Sequence, residues 1–210
     1  PVRSQTDVSI YSSRPILGML PSCDSIIFKN LANADGFAPL DKLTHVAPKS
    51  SFAEGIKALR TNLMFMSPDN PPKFLLVTSP GPSEGKTMMS INMSIAMAQS
   101  GLRTIVVDSD MRRPRIHKAF GGRNGKGLSS ILTDDMPLAE AALETDVENL
   151  EVLTCGPIPP NPSELLHTTR FQRLLEELDE RYDRVIFDSP PLGAVSDGLV
   201  LSHSVDAVLL

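Results

Sequence analysis

The stretch Pro80-Gly81-Pro82-Ser83-Glu84-Gly85-Lys86-Thr87 decides the fold of this chain. Residues 73–79 before it are apolar and β-rich and are bounded by prolines, which predicts a buried strand. Residues 88–100 after it have a helical pattern that ends at Gly101, where a left-handed cap is expected. A strand, a glycine-bearing loop and a helix in this order predict a cradle for phosphate groups.

The predicted cradle suits a nucleoside triphosphate. Backbone N–H groups of the loop and of the helix N-terminus face the anion, Lys86 reaches the terminal phosphates, and the Thr87 hydroxyl holds Mg²⁺. Pro80 stands where this motif usually has its first glycine. The residues that we expect to bind the nucleotide are Gly81, Pro82, Ser83, Glu84, Gly85, Lys86, Thr87 and Met88.

Composition limits the possible partners. The chain has 210 residues, and its 20 basic and 25 acidic side chains give a net charge of −5 with no long basic run, which argues against nucleic acid. Cys23 and Cys155 lie far apart and lack metal-ligand spacing, so we expect reduced thiols. No stretch approaches the about 18 apolar residues that a membrane-spanning helix needs.

The chain divides into two parts. Residues 1–50 are polar and turn-rich and are predicted to form an N-terminal extension, with a short edge strand at residues 15–21. Residues 51–210 are predicted to form the phosphate-binding domain. Both ends resemble the interior of a longer chain, since residues 206–210 have the pattern of a buried strand. We therefore expect a fragment of a larger polypeptide.

The domain alternates short apolar strands with helices. Further strands are predicted at residues 103–108, 150–155 and 184–188, and a long helical segment at residues 162–182. This order predicts an α/β three-layer sandwich of the P-loop NTPase type, with a mostly parallel sheet covered by helices on both faces.

A helix at residues 51–66 precedes the phosphate loop. Its start, Ser51-Phe52-Ala53-Glu54, fits a capping box. In this motif the serine side chain accepts the backbone N–H of the glutamate, and the glutamate side chain accepts the backbone N–H of the serine. Glu54, Lys57 and Arg60 form a charged stripe on its exposed side. Periodicity alone favours a solvated helix face for this stripe.

Acidic side chains follow two of the predicted strands. Ligands bind beyond the carboxyl ends of such strands, and Asp108 and Asp188 stand there together with Lys86 and Thr87. Asp188 fits the second nucleotide-binding motif, which holds the metal directly or through water. Asp110 adds a carboxylate, and one of these acids orients or deprotonates an attacking hydroxyl. A single aspartate at such a junction is more often a helix cap.

Other polar residues have weaker patterns. Arg112 and Arg113 follow the acids and either neutralise phosphate charge, bind carboxylates of a partner, or are solvated. The four histidines form no ligand cluster, and Ser189 lacks the context of a catalytic nucleophile. Metal-hydrolase and serine-hydrolase functions are therefore not expected.

These residues resemble the bacterial tyrosine kinases of exopolysaccharide and capsule synthesis, the cytoplasmic domains of chain-length-determinant (polysaccharide copolymerase) systems. The resemblance runs from about residue 51 to residue 210, with a weaker match at residues 15–21. Its most specific segments are residues 59–63 (LRTNL), 78–87 (TSPGPSEGKT), 107–114 (VDSDMRRP), 159–166 (PPNPSELL) and 185–191 (VIFDSPP).

The resemblance implies binding of ATP and Mg²⁺ and phosphoryl transfer to tyrosines of a neighbouring subunit. It implies that Lys86, Asp108 and Asp110 are catalytic, and that Thr87, Asp108 and Asp188 hold the metal. It further implies a ring-like homo-oligomer at the inner face of the cell membrane. The membrane chain-length-determinant domain is either fused upstream or supplied as a separate adaptor.

Two features of the chain bear on that resemblance. Glu54, Lys57 and Arg60 match the family's subunit-contact motif, except that Lys57 replaces an arginine and so lacks its planar fork. Family members also carry a tyrosine-rich C-terminal tail as the phosphate acceptor, whereas this chain has only Tyr11 and Tyr182. We expect Tyr182 to be a packing residue and the acceptor tyrosines to lie beyond this chain.

Two alternative functions are weighed against the kinase. A switch ATPase of the partitioning-protein type carries a signature lysine early in the loop, where this chain has Gly81. An ATP-binding assembly module without kinase activity is the other alternative. Phosphotyrosine formation that depends on Lys86 distinguishes the kinase from both.

Overall fold

The computed structural model describes residues 14–21, 38–193 and 195–210. Its sheet has six strands in the order β3-β4-β2-β5-β1-β6. Every neighbouring pair is parallel except β3 and β4. The strands are β1 (Phe74–Val77), β2 (Thr104–Asp108), β3 (Ala142–Glu144), β4 (Leu150–Leu153), β5 (Arg184–Asp188) and β6 (Ala207–Leu209).

Helices cover both faces of this sheet. One face packs against α3 and α4, and the other against α6 and α9. The predicted three-layer arrangement with a mostly parallel sheet is therefore confirmed. The described helices are α1 (Ala38–Asp41), α2 (Leu43–Val46), α3 (Ser51–Phe65), α4 (Lys86–Ala98), α5 (Ile116–Ala119), α6 (Leu128–Asp134), α7 (Leu138–Ala141), α8 (Pro162–Leu165), α9 (Thr169–Arg181) and α10 (Asp197–Ser202).

The central strands are apolar throughout because both of their faces are buried. In β1, Leu75 and Val77 point to the α3–α4 layer, whereas Leu76 points to the α6–α9 layer. In β5, Ile186 and Phe187 divide in the same way. Successive side chains of a strand alternate between faces, so a sheet covered twice requires continuous apolar runs.

Two helix starts differ slightly from the predictions. The cap of α3 is Ser50 rather than Ser51, because the Ser50 hydroxyl accepts the N–H of Ala53 at 3.2 Å. Helix α4 begins at Lys86, two residues before the predicted start, because Gly85 adopts a left-handed conformation (φ 90°) and leads directly into the helix. The side chain of Lys86 is therefore fixed to the first helical turn.

The predicted long helix at residues 162–182 is wrong in one respect, because it is two helices. Helix α8 ends at Leu165, and α9 begins at Thr169. The Thr168 hydroxyl caps α9 by accepting the N–H of Phe171 at 3.3 Å. The antiparallel strand β3 was not anticipated either, and it forms one edge of the sheet.

Residues 15–21 are not the predicted edge strand. They run along α3, where the Asn62 side-chain amide donates to the carbonyl oxygen of Leu17 at 2.6 Å. Leu17 and Leu20 pack against the apolar layer of α3 and α4. This segment is therefore held by a helix surface and not by strand pairing.

The two ends of the described domain also depart from the expectation. Residues 38–50, assigned from the sequence to the extension, include α1 and α2, and Leu43 of α2 is completely buried. Strand β6 is an edge strand and is only partly buried, with Val208 45% exposed. Within the described ranges, no helix has both the length and the apolar character to cross a membrane.

Candidate active site

The loop between β1 and α4 has the geometry of a phosphate cradle. Gly85 and Ser83 both have positive φ angles, 90° and 63°. The first N–H of the helical ladder is that of Met89, which donates to the carbonyl oxygen of Gly85 at 2.9 Å. The N–H groups just before it belong to the first turn of a helix and have no partner further up the same helix. They are the donors that bind an anion at such a terminus.

The start of the loop is held by its own side chains. The Ser79 hydroxyl donates to the carbonyl oxygen of Gly81 at 2.6 Å. The N–H of Gly81 donates to the Glu84 carboxylate at 3.1 Å. Glu84 therefore serves as an internal brace of the loop in this structure, and its assignment as a nucleotide-binding residue stays a prediction.

The backbone at Pro80 accepts hydrogen bonds from a neighbouring segment of the chain. The N–H of Gly193 donates to the carbonyl oxygen of Pro80 at 3.1 Å, and the N–H of Leu192 donates to that of Ser79 at 2.9 Å. A Cβ atom on Gly193 would lie 2.6 Å from the Pro80 oxygen, so the close approach requires glycine. The segment after β5 thus anchors the entry to the loop.

Asp188 lies at the foot of the loop. It is almost completely buried, and its carboxylate accepts hydrogen bonds from Thr87 and from Ser90, the latter at 3.0 Å. Burial raises the pKa of Asp188 to about 6, and the hydrogen bonds from Thr87 and Ser90 oppose that rise. A hydroxyl and a carboxylate in contact beside a phosphate loop are the oxygen donors that suit Mg²⁺.

Asp108 lies next to Asp188 across the β2–β5 pairing. One carboxylate oxygen accepts the N–H groups of Arg115 at 3.0 Å and Ile116 at 2.9 Å, so Asp108 holds the start of α5. The other oxygen is buried and has no hydrogen-bond partner among the described residues. Burial, followed by the charge of Asp188, raises the pKa of Asp108 to about 8. One oxygen of the Asp108 carboxyl group therefore has a structural role, and the other is suited to bind a cation.

Asp110 lies in the wall of a cavity of about 560 Å³. Its carboxylate accepts the backbone N–H groups of Arg112 at 3.2 Å and Arg113 at 2.9 Å. Unlike Asp108 and Asp188, it is partly exposed. The cavity is lined by Pro82, Ser83, Gly85, Lys86, Thr87, Met88, Asp110, Arg112, Arg113, Arg115, Pro190, Pro191 and Val195.

Arg112 makes a contact within the chain that none of the three roles considered from the sequence includes. Its guanidinium binds both oxygens of the buried Asp197 carboxylate, at 2.9 and 3.1 Å, and donates to Ser163 at 3.2 Å. Burial alone would raise the pKa of Asp197, but hydrogen bonds from Arg112 and Ser163 hold it below its usual range. Arg112 therefore ties α8 and α10 to the cavity wall.

Some residues of the site were missed by sequence reasoning. Ser90 stands one helical turn after Lys86, so the spacing places it on the same face of the helix, but its contact with Asp188 is seen only in the structure. Arg115 and Val195 line the cavity without any sequence signal that points to it. Ser189 is not a nucleophile, because its hydroxyl is buried and donates to the carbonyl oxygen of Val77 at 3.1 Å.

The charged stripe of α3 makes contacts within the chain. Lys57 lies 2.8 Å from the Glu54 carboxylate and also donates to the carbonyl oxygen of Pro48 at 2.8 Å. Arg60 donates to the carbonyl oxygen of Ala96 at 2.7 Å, in the last turns of α4. The role of the stripe as a subunit contact stays a prediction.

The tyrosines and cysteines occupy unreactive positions where they are described. Tyr182 is buried and its hydroxyl donates to the Glu151 carboxylate at 2.7 Å, as expected for a packing residue. Cys155 is a buried free thiol, and burial raises its pKa to about 12. Tyr11 and Cys23 lie outside the described residues.

Comparison with known proteins identifies bacterial tyrosine-protein kinases as relatives of this chain. The family model described as an AAA domain matches residues 82–209. The putative tyrosine-protein kinase CapB of Staphylococcus aureus is 39% identical over 166 residues, which cover 79% of this chain and 73% of the relative. The tyrosine-protein kinase etk of Escherichia coli K12 is 34% identical over 206 residues, or 97% of this chain and 28% of the relative.

Solved structures agree with these relatives. The chimerical protein CapA2B2 superposes with a TM-score of 0.86 at 35% identity, covering 98% of this chain and 83% of that one. The kinase domain of the Escherichia coli tyrosine kinase ETK superposes with a TM-score of 0.83 at 33% identity, covering 93% of this chain and 76% of that one. The septum site-determining protein MinD of Pyrococcus horikoshii superposes with a TM-score of 0.55 at 21% identity, covering 65% of this chain and 56% of that one. At this identity the likeness shows only the fold. The chain belongs to the bacterial tyrosine-protein kinase family.

Proposed function

We propose that this chain is an ATP- and Mg²⁺-dependent protein-tyrosine kinase of a capsule or exopolysaccharide system. The observation that supports this most directly is the buried Asp188 carboxylate, which is hydrogen-bonded to Ser90 of α4 at 3.0 Å beside the cavity that Lys86 and Thr87 line. The names of the relatives add that proteins with this sequence pattern are tyrosine-protein kinases.

The loop and two oxygen donors hold the nucleotide and its metal in this proposal. The backbone N–H groups of residues 81–88 bind the phosphates, and Lys86 reaches the terminal one. Thr87 and Asp188 would hold Mg²⁺, and the buried Asp108 oxygen that has no hydrogen-bond partner among the described residues would contribute directly or through water. When bound, Mg²⁺ neutralises charge on the phosphate oxygens during transfer.

Asp110 is the better placed of the two acids in the pair to act on the acceptor. Asp108 is buried and uses one oxygen to hold α5, whereas Asp110 is partly exposed in the cavity. The tyrosine oxygen forms a bond to the γ-phosphorus, the bond from that phosphorus to the β–γ bridging oxygen breaks, and ADP leaves. The phenolic proton passes to the Asp110 carboxylate.

The acceptor and the assembly belong to the same proposal. Phosphorylated tyrosines lie in the C-terminal tail of a neighbouring subunit, within a ring-like homo-oligomer at the inner face of the membrane. A chain-length-determinant membrane domain, fused or separate, is the expected partner. The stripe of Glu54, Lys57 and Arg60 is the proposed subunit contact, and the Glu54 side chain is 63% exposed on it.

The test is phosphotyrosine formation with ATP and Mg²⁺, in this chain and in a form extended to a tyrosine-bearing tail. We expect the extended form to give a phosphotyrosine signal that Lys86→Met abolishes. The matched variant Lys49→Met should retain this signal, because Lys49 is an exposed residue away from the loop. Intact ATP binding without any phosphotyrosine in the extended form would contradict the kinase and favour an assembly module or a switch ATPase.

A further inference from the structure

The N-terminal helices α1 and α2 are bonded to the helix that follows the phosphate loop. The buried side chain of Asn92, in α4, makes this connection. Its amide group donates to the carbonyl oxygens of Asp41 at 2.9 Å and Met88 at 2.8 Å, and its oxygen accepts the N–H of Thr44 at 2.8 Å. The turn between α1 and α2 is thereby fixed one helical turn from Met88, a residue of the cavity wall.

A charged pair makes a second connection between this turn and the cavity. The guanidinium of Arg115 lies 3.5 Å from the carboxylate of Asp41. The Asp41 side chain is only 6% exposed, whereas that of Arg115 is 47% exposed and lines the nucleotide cavity. The backbone N–H of Arg115 is bound to Asp108, so the guanidinium is placed at the cavity by the same loop that carries the acids.

Of the arginines in this wall, Arg115 is the one that joins the cavity to the N-terminal helices. Arg112 binds Asp197 through two hydrogen bonds and Ser163 through a third, and moving it to a phosphate would break all three. The guanidinium of Arg115 lies farther from its acidic partner, 3.5 Å from the Asp41 carboxylate, and the Arg115 side chain is 47% exposed. A bound triphosphate can accept two parallel hydrogen bonds from an arginine, which makes it a stronger partner than a carboxylate at 3.5 Å.

We propose that Asp41 restrains Arg115 and that the phosphates of a bound nucleotide compete with Asp41 for its guanidinium. This inference rests on the proposed nucleotide-binding function and adds a regulation of that site. Because coupling between two sites is reciprocal, nucleotide binding weakens the hold of the cavity on α1, and displacement of α1 strengthens nucleotide binding. The segment that enters the domain through α1 and α2 therefore sets the affinity for nucleotide.

The test is a double-mutant cycle on ATP binding with Mg²⁺, measured by calorimetry. Asp41→Asn keeps the side-chain shape and an acceptor oxygen but removes the competing charge. We expect it to strengthen ATP binding about fivefold, at the lower end of typical couplings between sites. In the background of Arg115→Gln, which itself weakens binding, the same substitution should change the affinity less than about twofold.

A matched control removes another ion pair of the same segment. Asp146→Asn breaks the 2.8 Å contact of Asp146 with Lys42, which lies between α1 and α2 and does not belong to the cavity wall. We expect its ATP affinity to equal that of the unchanged chain. Equal strengthening by Asp146→Asn, or an effect of Asp41→Asn that persists undiminished beside Arg115→Gln, would overturn the proposal.

Hydrogen exchange gives a second readout in the unchanged chain, so the proposal does not depend on the folding of the Asp41 variant. Saturating ATP with Mg²⁺ should accelerate exchange in residues 38–46, and Arg115→Gln should abolish that acceleration. Unchanged or slower exchange on ATP addition would overturn the inference while ATP binding itself stands. Absence of ATP binding in the unchanged chain would overturn the proposed function and this inference together.

Discussion

The hydroxyl of Ser90 joins the helix after the phosphate loop to the buried acid of β5. Its oxygen lies 3.0 Å from the Asp188 carboxylate and 3.0 Å from the carbonyl oxygen of Lys86. A hydroxyl has one proton to donate, and an ionised carboxylate is the stronger acceptor. Ser90→Ala therefore removes a hydrogen bond that stabilises the charged form of Asp188.

The size and sign of the effect follow from this contact. A hydrogen bond to a charged group contributes about 1.5–3 kcal/mol, and about 1.4 kcal/mol corresponds to one pH unit in an ionisation. Burial already raises the pKa of Asp188 to about 6, so losing the Ser90 bond moves its ionisation upward by roughly one to two pH units. Because Mg²⁺ requires the carboxylate, the variant binds ATP with Mg²⁺ more weakly near pH 7 and regains affinity at alkaline pH.

The assay is the affinity for ATP with Mg²⁺ as a function of pH in the unchanged chain and two variants. Ser94→Ala is the matched control, because Ser94 lies one turn further along the same helix and donates to the backbone oxygen of Ser90 at 2.7 Å. We expect the midpoint of the pH profile to rise for Ser90→Ala alone. An unmoved midpoint, or an equal rise for Ser94→Ala, would refute the reasoning.

Three further substitutions test other parts of the structure. Asp197→Asn leaves the Arg112 guanidinium facing a neutral amide and should lower the unfolding free energy by about 2 kcal/mol, seen as a fall in Tm of about 4–8 °C. Tyr182→Phe removes the hydrogen bond to Glu151, and should cost about 1 kcal/mol while leaving the phosphotyrosine yield of the extended form unchanged. Arg60→Glu reverses the charge of the proposed subunit contact and should lower phosphotyrosine formation by the extended form at a given protein concentration.

Each of these expectations has a contrary result. An unchanged Tm for Asp197→Asn would mean that the Arg112 clamp contributes nothing to stability. Loss of the phosphotyrosine signal in Tyr182→Phe at full stability would make Tyr182 an acceptor. Phosphotyrosine formation that Arg60→Glu leaves unchanged at every protein concentration would show that the stripe is not the subunit contact.

The loop and the strands were predictable because their signals are local. Continuous apolar runs such as that of β5 follow directly from a sheet covered on both faces, and Gly85 marks the turn into α4. The choice between Ser50 and Ser51 as the cap of α3 was not predictable, since both residues have a hydroxyl and stand next to each other. The break at Thr168 was readable in principle from its capping side chain.

The division of roles between the acids could not be derived from the sequence. Asp108 accepts two backbone N–H groups that lie a whole loop further along the chain, and no spacing rule predicts such bonds. The contact between Arg115 and Asp41 likewise joins distant parts of the chain. Side chains that meet only after the layers have packed carry no periodic or motif signal, so they become visible in the folded structure alone.

Helix α4 connects two parts of the domain that are proposed to have separate roles. Its residues from Ser90 to Ala98 are all buried, so this part of the helix is packed on every side, and the whole helix is about 20 Å long. The helix starts at Lys86, and Ser90 in its second turn is hydrogen-bonded to Asp188. Near its C-terminal end, the carbonyl oxygen of Ala96 accepts a hydrogen bond from Arg60. Helix α4 thus links the phosphate loop to the charged stripe through direct contacts near its two ends.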